Sequence, residues 1–337
     1  MSTSVRILAA TAVAAALGMS PPARSLAPLT WTERAPAAPA GEAVRLGERA
    51  FGRSGQLRVM LTDPQAPLHL PMEWTVERPS EVGYRWMPVG GTRSNVLGGE
   101  MRLAAGLVAP PRPGVYQLAL SAPGGWQQRV PELAVIARVP HSEKRGGFLN
   151  GYRMGTWATE ADARADRYAP PASFIEVTPE NQDLQVSSHF RLRNFLTKDQ
   201  FSVWPKYLAL DLRLIDKLEL VIQELNAMGV RADNVGVMSG FRTPAYNGPG
   251  EGGRALLSRH TYGDASDVWI DNDRDGYMDD LNGDGRRDTD DVLVMLRAVD
   301  RVEARYPELT GGAGVYMDNG AHGPFIHIDA RGYRSRW

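Results

Sequence analysis

Two short stretches near the C-terminal end of the sequence place histidine and aspartate at spacings that suit a metal ion. Ser258–Asp267 reads S-R-H-T-Y-G-D-A-S-D, and Phe325–Asp329 reads F-I-H-I-D. Small residues between His260 and Asp267 suit a loop entering a strand, and His327 would join them from another strand. Two imidazoles, one carboxylate and an open fourth position are typical of a catalytic zinc site. The sequence therefore predicts Zn²⁺ bound by these three side chains.

The composition narrows the chemistry of the chain. It contains no cysteine, so thiolate metal sites, disulfides and cysteine nucleophiles are excluded, and a transition metal must be held by histidine and carboxylates. A formal net charge of −1 gives no basic surplus that would indicate nucleic-acid binding. At 337 residues the chain exceeds one typical domain, which predicts two folded units.

Residues 1–27 have the pattern of an export signal. Arg6 supplies a positive charge, Ile7–Leu17 is an apolar run too short to span a bilayer comfortably, and Ser25 and Ala27 are small residues suited to cleavage. The alternative is an uncleaved membrane anchor. From the export signal we expect a periplasmic or secreted protein, and no later stretch is apolar and long enough to be transmembrane.

Residues 28–145 are predicted to form a small all-β accessory domain of the immunoglobulin-like type, because short β-patterned runs alternate with Pro and Gly. These runs are Leu57–Leu61, Met72–Glu77, Val82–Met87, Val115–Leu120 and Leu133–Ala137. Four aromatic residues in the region suit either a core or a carbohydrate-stacking platform, and we favour the core. They are Trp74, Trp86, Tyr116 and Trp126.

Residues 146–173 are predicted to be a connector, and residues 174–337 to be an α+β domain. An amphipathic helix is expected over Leu214–Leu225, with Gly229 near its C-terminal cap. Asn234–Met238 is predicted as a strand that runs into a turn containing Arg242. That arginine is either a surface charge or an anion clamp, and its place at a strand end favours the clamp. We expect a small antiparallel sheet with zinc on one face and helices on the other.

Four motifs occur in the order Ser239-Gly240-Phe241-Arg242, Ser258–Asp267, Gly311–Tyr316 and Phe325–Asp329. This order resembles the zinc D-Ala-D-Ala carboxypeptidase family, and within it the murein-endopeptidase branch, although Ala313 stands where the branch usually has Val. The family shares a metallopeptidase fold group with lysostaphin-type peptidases and the hedgehog signalling domain. The resemblance covers roughly residues 174–337.

The resemblance implies that His260, Asp267 and His327 bind zinc. It implies that Arg242 holds a substrate carboxylate or stabilises a developing oxyanion, and that Ser258 belongs to the substrate-binding residues. The implied activity is hydrolysis of D-amino-acid-containing bonds in peptidoglycan stem peptides by metal-activated water. Carboxypeptidase and endopeptidase action both remain open.

The general base is less clearly indicated. Relatives carry a Glu three residues, or a His two residues, before the last ligand, where this chain has Pro324 and Phe325. His322 is the nearest titratable residue upstream and is our prediction for the base. Asp329 follows His327 by two residues, so it is predicted either to orient that ligand or to act as base. The alternative for His322 is a solvent-exposed loop histidine.

An acidic stretch, residues 271–291, follows the first zinc motif and predicts structural Ca²⁺ in an insertion. Its second half resembles a dockerin loop, with oxygen ligands at the positions that calcium loops use and Gly285 at the sixth. The alternative is a solvated acidic loop. The predicted ligands are Asp280, Asn282, Asp284, the carbonyl of Arg286, Asp288 and Asp291, with a tandem or shared site at Asp271, Asp273 and Asp275.

Two function classes remain open from the sequence. One is the exported zinc peptidase that acts on peptidoglycan. The other is a non-catalytic metal-containing module that binds the cell wall or a protein. The absence of the usual Glu or His favours the second class, but the murein-endopeptidase branch also lacks that residue, so the peptidase is preferred.

Overall fold

The computed structural model describes residues 5–6, 30–33, 58–68, 72–75, 82–90, 100–122, 126–160, 168–248 and 254–337. The chain divides into two compact units between Ala137 and Arg138, with residues 45–47 assigned to the second unit but outside the described part. The predicted signal peptide lies outside the described residues apart from Val5–Arg6. Within the described ranges, no helix is both long and apolar enough to span a bilayer.

The first unit is built from short strands. Its main sheet has the order β3-β10-β9-β6-β7, with β3 and β10 parallel and the other neighbours antiparallel. Strands β1, β2 and β5 form a second sheet, and β4 pairs with β8. The strands are β1 Val5–Arg6, β2 Thr30–Glu33, β3 Arg58–Thr62, β4 Pro67–Leu68, β5 Met72–Thr75, β6 Gly83–Val89, β7 Met101–Arg102, β8 Leu107–Val108, β9 Gly114–Ala122 and β10 Trp126–Ala137. Each of the five predicted β runs overlaps a strand within the described residues.

The core of this unit follows the two-residue period of its strands. Side chains two positions apart on β6, β9 and β10 face the same side and pack together. Trp86 and Tyr116 are fully buried there, so these two are core residues and not a carbohydrate platform. The side chains of Trp74 and Trp126 lie outside the described part of the structure. The immunoglobulin-like architecture remains a prediction.

The second unit combines helices with small sheets, as an α+β fold requires. Its main sheet has the order β16-β17-β19-β18-β20, antiparallel except for β18 with β20. A second sheet has the order β11-β14-β15, and β12 pairs with β13. The strands are β11 Val139–Pro140, β12 Phe148–Leu149, β13 Tyr152–Arg153, β14 Ser173–Val177, β15 Lys206–Leu208, β16 Val235–Ser239, β17 Ala265–Ile270, β18 Gly312–Tyr316, β19 Phe325–Asp329 and β20 Ser335–Arg336. The α-helices are α1 Leu212–Ala227, α2 Pro244–Asn247 and α3 Thr289–Arg305.

Helix α1 is the amphipathic helix that the sequence predicts. The Asp211 side chain accepts from the N–H of Arg213 at its start, and Gly229 adopts a φ of 82° just beyond its end. Helices α1 and α3 pack against each other and both reach β19. Lys217 of α1 and Glu303 of α3 form a buried ion pair at 2.6 Å, and the Lys217 ammonium also donates to the carbonyl of Asp329. This bond ties the end of β19 to both helices.

The segment predicted to be a connector is instead packed into the second unit. It carries the β12–β13 hairpin, and Tyr152, Met154 and Trp157 are buried. The Trp157 indole N–H donates to the carbonyl of Thr261, which follows His260 in the chain. The sequence suggested a linker because Gly and charged residues dominate its start, while its buried aromatic residues have no regular spacing. The unit begins at Arg138, earlier than the expected boundary at residue 145.

Candidate metal centre

Strand register brings two of the three predicted zinc ligands together. Asp267 of β17 and His327 of β19 are direct partners in an antiparallel pair, which places their side chains on one face of the sheet. Buried Ile326 and Ile328 alternate to the opposite face. We call the side of the sheet that carries Asp267 and His327 the metal face. The sequence predicted that such a face would lie opposite the face packed by helices, and this alternation is consistent with that prediction.

His260 reaches the same face from the short 3₁₀ helix Arg259–Tyr262 that precedes β17. The turn into the strand requires Gly263, which has a φ of 79°. An added Cβ at this glycine would lie 2.4 Å from the carbonyl oxygen of Ala209. The motif therefore needs glycine here both for its backbone conformation and for space.

Three ligand atoms converge on one point. His260 Nε2 lies 3.1 Å from Asp267 Oδ1 and 3.1 Å from His327 Nδ1, and His327 Nδ1 lies 2.9 Å from Asp267 Oδ1. All three side chains are buried. The structure thus brings together the three residues predicted from sequence, and this group could hold a metal ion.

The outer hydrogen bonds select the tautomer of both imidazoles in their neutral form. His260 Nδ1 lies 2.7 Å from the carbonyl oxygen of Gly240, and a carbonyl can only accept, so this nitrogen carries the proton. His327 Nε2 lies 3.1 Å from Asp329 Oδ2 and donates to that carboxylate. Each imidazole therefore directs a lone pair at the point that Asp267 Oδ1 also faces. Three acceptors facing one another require a cation or a shared proton between them.

The spacing of these atoms fits zinc. With Zn–N bonds of about 2.0–2.1 Å, tetrahedral geometry puts ligand atoms about 3.3 Å apart. The observed separations of 2.9–3.1 Å are slightly shorter, so small side-chain rotations suffice to admit the ion. Three protein ligands leave a fourth position for water or substrate.

The charges at the site also suit metal ligation. Burial alone would raise the pKa of Asp267, but the facing His260 and His327 imidazoles outweigh it and hold that pKa well below its usual range. Burial lowers the pKa of His260, which favours the neutral ring. Burial would also lower the pKa of His327, but its hydrogen bonds to Asp267 and Asp329 raise it, so a cation at this point must displace a proton from His327 Nδ1. An ionised carboxylate and a neutral imidazole are the forms that bind a cation.

Arg242 lies directly behind Asp267. Its Nη2 donates to Asp267 Oδ2 at 2.5 Å, and its Nε donates to Ser239 Oγ at 2.7 Å. The guanidinium therefore binds Asp267 Oδ2, while Asp267 Oδ1 faces the two imidazoles and stays available to a metal. The sequence predicted a substrate clamp, and the structure adds a role in holding a ligand.

Asp329 orients a ligand and is not placed to act as a base. Its carboxylate accepts from His327, from the N–H of Gly312 at 2.7 Å and from the guanidinium of Arg331, and it is fully buried. Burial would raise the pKa of Asp329, but the bonds from His327 and Arg331 lower it far below its usual range. The catalytic role that the sequence allowed for Asp329 is therefore corrected to a positioning role.

His322 lies in the loop before β19, half-buried. Its ring meets Phe325 edge-on at 4.9 Å, while its Nδ1 lies 2.9 Å from the carbonyl oxygen of Gly323 and its Nε2 lies 3.0 Å from the Asn319 amide. Phe325 projects to the same face as His327, two residues along. His322 is thus one aromatic ring away from the metal face but makes no hydrogen bond to the three ligands in the part of the chain that the structure describes.

Ser258 begins the 3₁₀ helix that carries His260. Its carbonyl accepts from the Thr261 N–H at 3.0 Å and from the Thr261 hydroxyl at 2.8 Å, and its side chain makes no capping bond. The backbone of Ser258 thus shapes the ligand-bearing turn. Its predicted contact with substrate remains a prediction.

Two groups beside the metal face were not indicated by the sequence. The Trp337 ring lies 5.3 Å from the His327 ring, and its indole N–H donates to the Tyr316 hydroxyl at 2.9 Å. Lys198 is largely exposed, and its ammonium donates to the carbonyl of Val237 on β16 at 3.4 Å. Desolvation of the ammonium lowers the pKa of Lys198, while the charge of Asp267 acts in the opposite direction. Neither residue lies at a spacing that links it to the ligand motifs, so only the fold could reveal them.

The predicted calcium loop, residues 280–291, is held by its own backbone. Asp280 Oδ1 accepts from Gly283 N at 2.7 Å and Oδ2 accepts from Gly285 N at 2.7 Å, and the Gly285 bond lowers the pKa of Asp280. Asn282 Oδ1 and Asp284 Oδ1 each accept from a backbone N–H two residues on. These bonds curl the loop on itself, and the same bonds would shape a loop without an ion, so calcium binding here stays a prediction.

The last two predicted calcium ligands, Asp288 and Asp291, also begin helix α3. Asp288 accepts from the N–H of Asp290, while Asp291 accepts from Asp288 and, through its other oxygen, from Leu281. The Asp288 side chain also accepts from the N–H of Asp291, and this reciprocal pair between Asp288 and Asp291 is a capping box. Asp291 is fully buried, so its carboxylate links the loop to the helix.

The first acidic loop forms the tighter carboxylate cluster of the two. Oxygens of Asp271, Asp273 and Asp275 all lie within 4.8 Å of one another, with Asp271 buried and the other two exposed. The Arg287 guanidinium lies 2.6 Å from Asp275 Oδ2 and 3.2 Å from Asp273 Oδ2, and its bond lowers the pKa of Asp275. The stronger sequence match at 280–291 is therefore not the closer carboxylate cluster, although the carboxylates of both loops accept from their own backbone.

No family model, curated protein or solved structure matches this chain. The argument for function therefore depends on the residues and geometry described above.

Proposed function

We propose that the second unit is a zinc-dependent peptidase that hydrolyses D-amino-acid-containing peptide bonds of peptidoglycan. The observation that carries the metal is the convergence of His260 Nε2, His327 Nδ1 and Asp267 Oδ1 on one buried point, with the other nitrogen of each imidazole bonded to an outer acceptor. The motif resemblance supports the choice of reaction and of stem peptides as substrates.

Zinc, when bound, supplies a Lewis acid that polarises a carbonyl and lowers the pKa of a water to about 7. The chain supplies orientation. Gly240 and Asp329 hold the two imidazoles in the ligand tautomer, and Arg242 holds Asp267 with one oxygen directed at the site. Arg242 Nη2 and Nε are bonded within the protein, but Nη1 has no hydrogen-bond partner among the described residues. Nη1 is therefore our candidate contact for a substrate carboxylate or oxyanion.

We propose His322 as the proton carrier. Its ring packs edge-on against Phe325, which projects to the same face as His327, and its loop contains Gly320 with a φ of 80°. A change of ring orientation would exchange its bonds to Asn319 and Gly323 for one to the reacting water. Asp329 cannot serve, because all its acceptor directions are used within the fold.

The insertion is proposed to bind structural Ca²⁺, and the export signal to direct the protein to the periplasm or outside the cell. The β-rich unit is proposed to hold the enzyme near the wall. A site outside the cytoplasm meets millimolar calcium, so a dissociation constant of about 10⁻⁴–10⁻³ M is enough to fill it.

The alternative is a metal-containing binding module without activity, and the observation that favours it is the lack of a bond between His322 and the ligands. Muropeptides incubated with the zinc-loaded protein, and analysed by mass spectrometry, separate the two. We expect cleavage that a chelator abolishes and added zinc restores. His260→Ala should be inactive, whereas His189→Gln, which changes a histidine bonded to Glu219, should be active. Binding without cleavage in the zinc-loaded wild type would favour the binding module.

A further inference from the structure

One row of residues runs across the main sheet of the second unit at the level of the metal ligands. Asp267 pairs with His327, and His327 pairs with Gly314 on β18. Directly paired residues project to the same face, so the position beside His327 has no side chain of its own. The Trp337 indole fills this space, since a Cβ added to Gly314 would lie 2.4 Å from indole Cε2 and Nε1.

The Trp337 ring is held in place from three directions. Its backbone carbonyl accepts from Val315 N at 2.9 Å, its indole N–H donates to the Tyr316 hydroxyl at 2.9 Å, and its face rests on Gly314. Tyr316 is in turn stacked on Phe325, with ring centroids 4.6 Å apart and an interplanar angle of 4°. The aromatic rings form a fixed surface that adjoins the metal ligands.

This surface is exposed although the neighbouring ligands are not. The exposed fraction is 48 % for Trp337 and 37 % for Tyr316, against 6 % for His327. Arg331 lies over the indole at 5.3 Å, but its guanidinium is bound to the Asp329 carboxylate. The surface therefore offers no free charge, and it suits an uncharged apolar group that comes close to the metal.

We propose that Trp337 and Tyr316 form a substrate wall that contacts a small aliphatic side chain next to the bond that is cleaved. The proposal rests on the proposed peptidase function and adds to it the residues that choose the substrate. In a D-alanyl peptide the group is the alanyl methyl. The indole bond to Tyr316 and its close approach to Gly314 position the ring, so it offers an apolar contact to that methyl.

The test compares two N-acylated peptides that carry no glycan. They differ by one methyl group, because one has D-Ala and the other has Gly at the position next to the cleaved bond. A methyl in a fitted apolar site changes kcat/KM by about 10-fold or more, and the zinc-loaded wild type should prefer D-Ala by this factor. Trp337→Ala should reduce the preference to near unity by raising KM for the D-Ala peptide, with KM for the Gly peptide little changed. Gly314→Ala, which displaces the indole without removing it, should act in the same direction.

Met317→Ala is the matched control, because Met317 is 68 % exposed at the end of the same strand and makes none of the ring contacts described. It should keep the wild-type preference. An unchanged preference in Trp337→Ala, or a lower zinc affinity at constant KM, would overturn the proposal and reduce Trp337 to a cover for His327. A glycan-stacking role would also leave the preference unchanged. If the zinc-loaded wild type cleaves neither peptide, the peptidase function itself fails, and the substrate wall fails with it.

Discussion

The metal centre and the acidic insertion both gather metal-binding side chains, but they satisfy them differently. At the centre, hydrogen bonds from outside fix each imidazole so that its lone pair faces the ion position. In the insertion, Asp280, Asn282 and Asp284 accept from the backbone of their own loop, and Arg287 bridges Asp273 and Asp275. The first arrangement needs a cation or a shared proton between its three facing atoms, whereas the carboxylates of the second already accept from the protein.

Burial strengthens this difference. Three acceptors at a buried centre are poorly screened, so a cation between them interacts strongly. Exposed carboxylates are screened by water and salt, so the insertion gains less from an ion. We therefore expect a tight site at the centre and a weak one in the insertion, and the following experiments test that ranking.

Removing a ligand should have the largest effect. His327→Ala deletes one of three ligands and leaves Asp329 without its histidine partner. We expect zinc affinity to fall by more than about 100-fold, beyond the usual effect of losing an outer-shell partner, and peptide cleavage to become undetectable. Equilibrium competition with a chromogenic chelator measures the affinity.

The matched control for this variant is His189→Gln. His189 lies 2.8 Å from Glu219, and this hydrogen bond raises the pKa of His189. Zinc affinity should be unchanged in the control. Equal loss in both variants would mean that His327 acts through stability and not through ligation.

His322→Ala should lower turnover by about 100-fold or more if His322 carries the proton, since general acid–base catalysis contributes that much. Zinc content should stay at the wild-type level because His322 makes no bond to the ligands among the described residues. Single-turnover rates at saturating peptide measure the effect. Turnover near that of the wild type would remove His322 from the mechanism.

Asp329→Asn keeps an acceptor for the Arg331 and Gly312 donors but weakens the charge behind His327. We expect zinc affinity to fall by about 10–100-fold, the usual effect of losing an outer-shell carboxylate. Because Asn is nearly the same size, the melting temperature separates lost affinity from lost folding. An unchanged affinity would show that Asp329 serves the fold alone, through Gly312 and Arg331.

Calcium removal should have the smallest effect. At 10 times its dissociation constant, an ion stabilises the folded state by about 1.4 kcal/mol, which for a unit of this size corresponds to about 3–6 °C in Tm. A calcium-selective chelator should lower the Tm by this amount while cleavage persists. Asp280→Ala and Asp271→Ala identify the loop, because only the variant of the occupied loop should lose the calcium response. A Tm that calcium does not change would leave the insertion as a solvated loop.

The sequence was sufficient to predict the candidate ligand pair His260 and Asp267 and the helix α1, because both predictions depend on the spacing of residues within one segment. The seven-residue separation of His260 and Asp267 and the stripe on α1 are patterns within one segment. Arg242 is harder, because its bond to Asp267 depends on how β16 pairs with β17. Trp337 could not be predicted at all, since its place beside His327 follows from the empty position at Gly314 on a third strand.

The prediction that residues 146–173 form a connector was wrong for a related reason. Its buried residues, Tyr152 and Trp157, have partners far along the chain, including Thr261 beside a metal ligand. Periodicity reports the burial of a regular helix or strand face, but it carries no signal for irregular segments that pack through a few aromatic side chains.

The most direct test of the central claim is the anomalous scattering of a zinc-loaded crystal, measured on both sides of the zinc absorption edge. We predict one strong zinc peak per chain, about 2.0–2.2 Å from His260 Nε2, His327 Nδ1 and Asp267 Oδ1. The acidic insertion should show no zinc peak. A peak at the insertion with none between the two histidines would contradict the account, as would ligation through His260 Nδ1 or His327 Nε2.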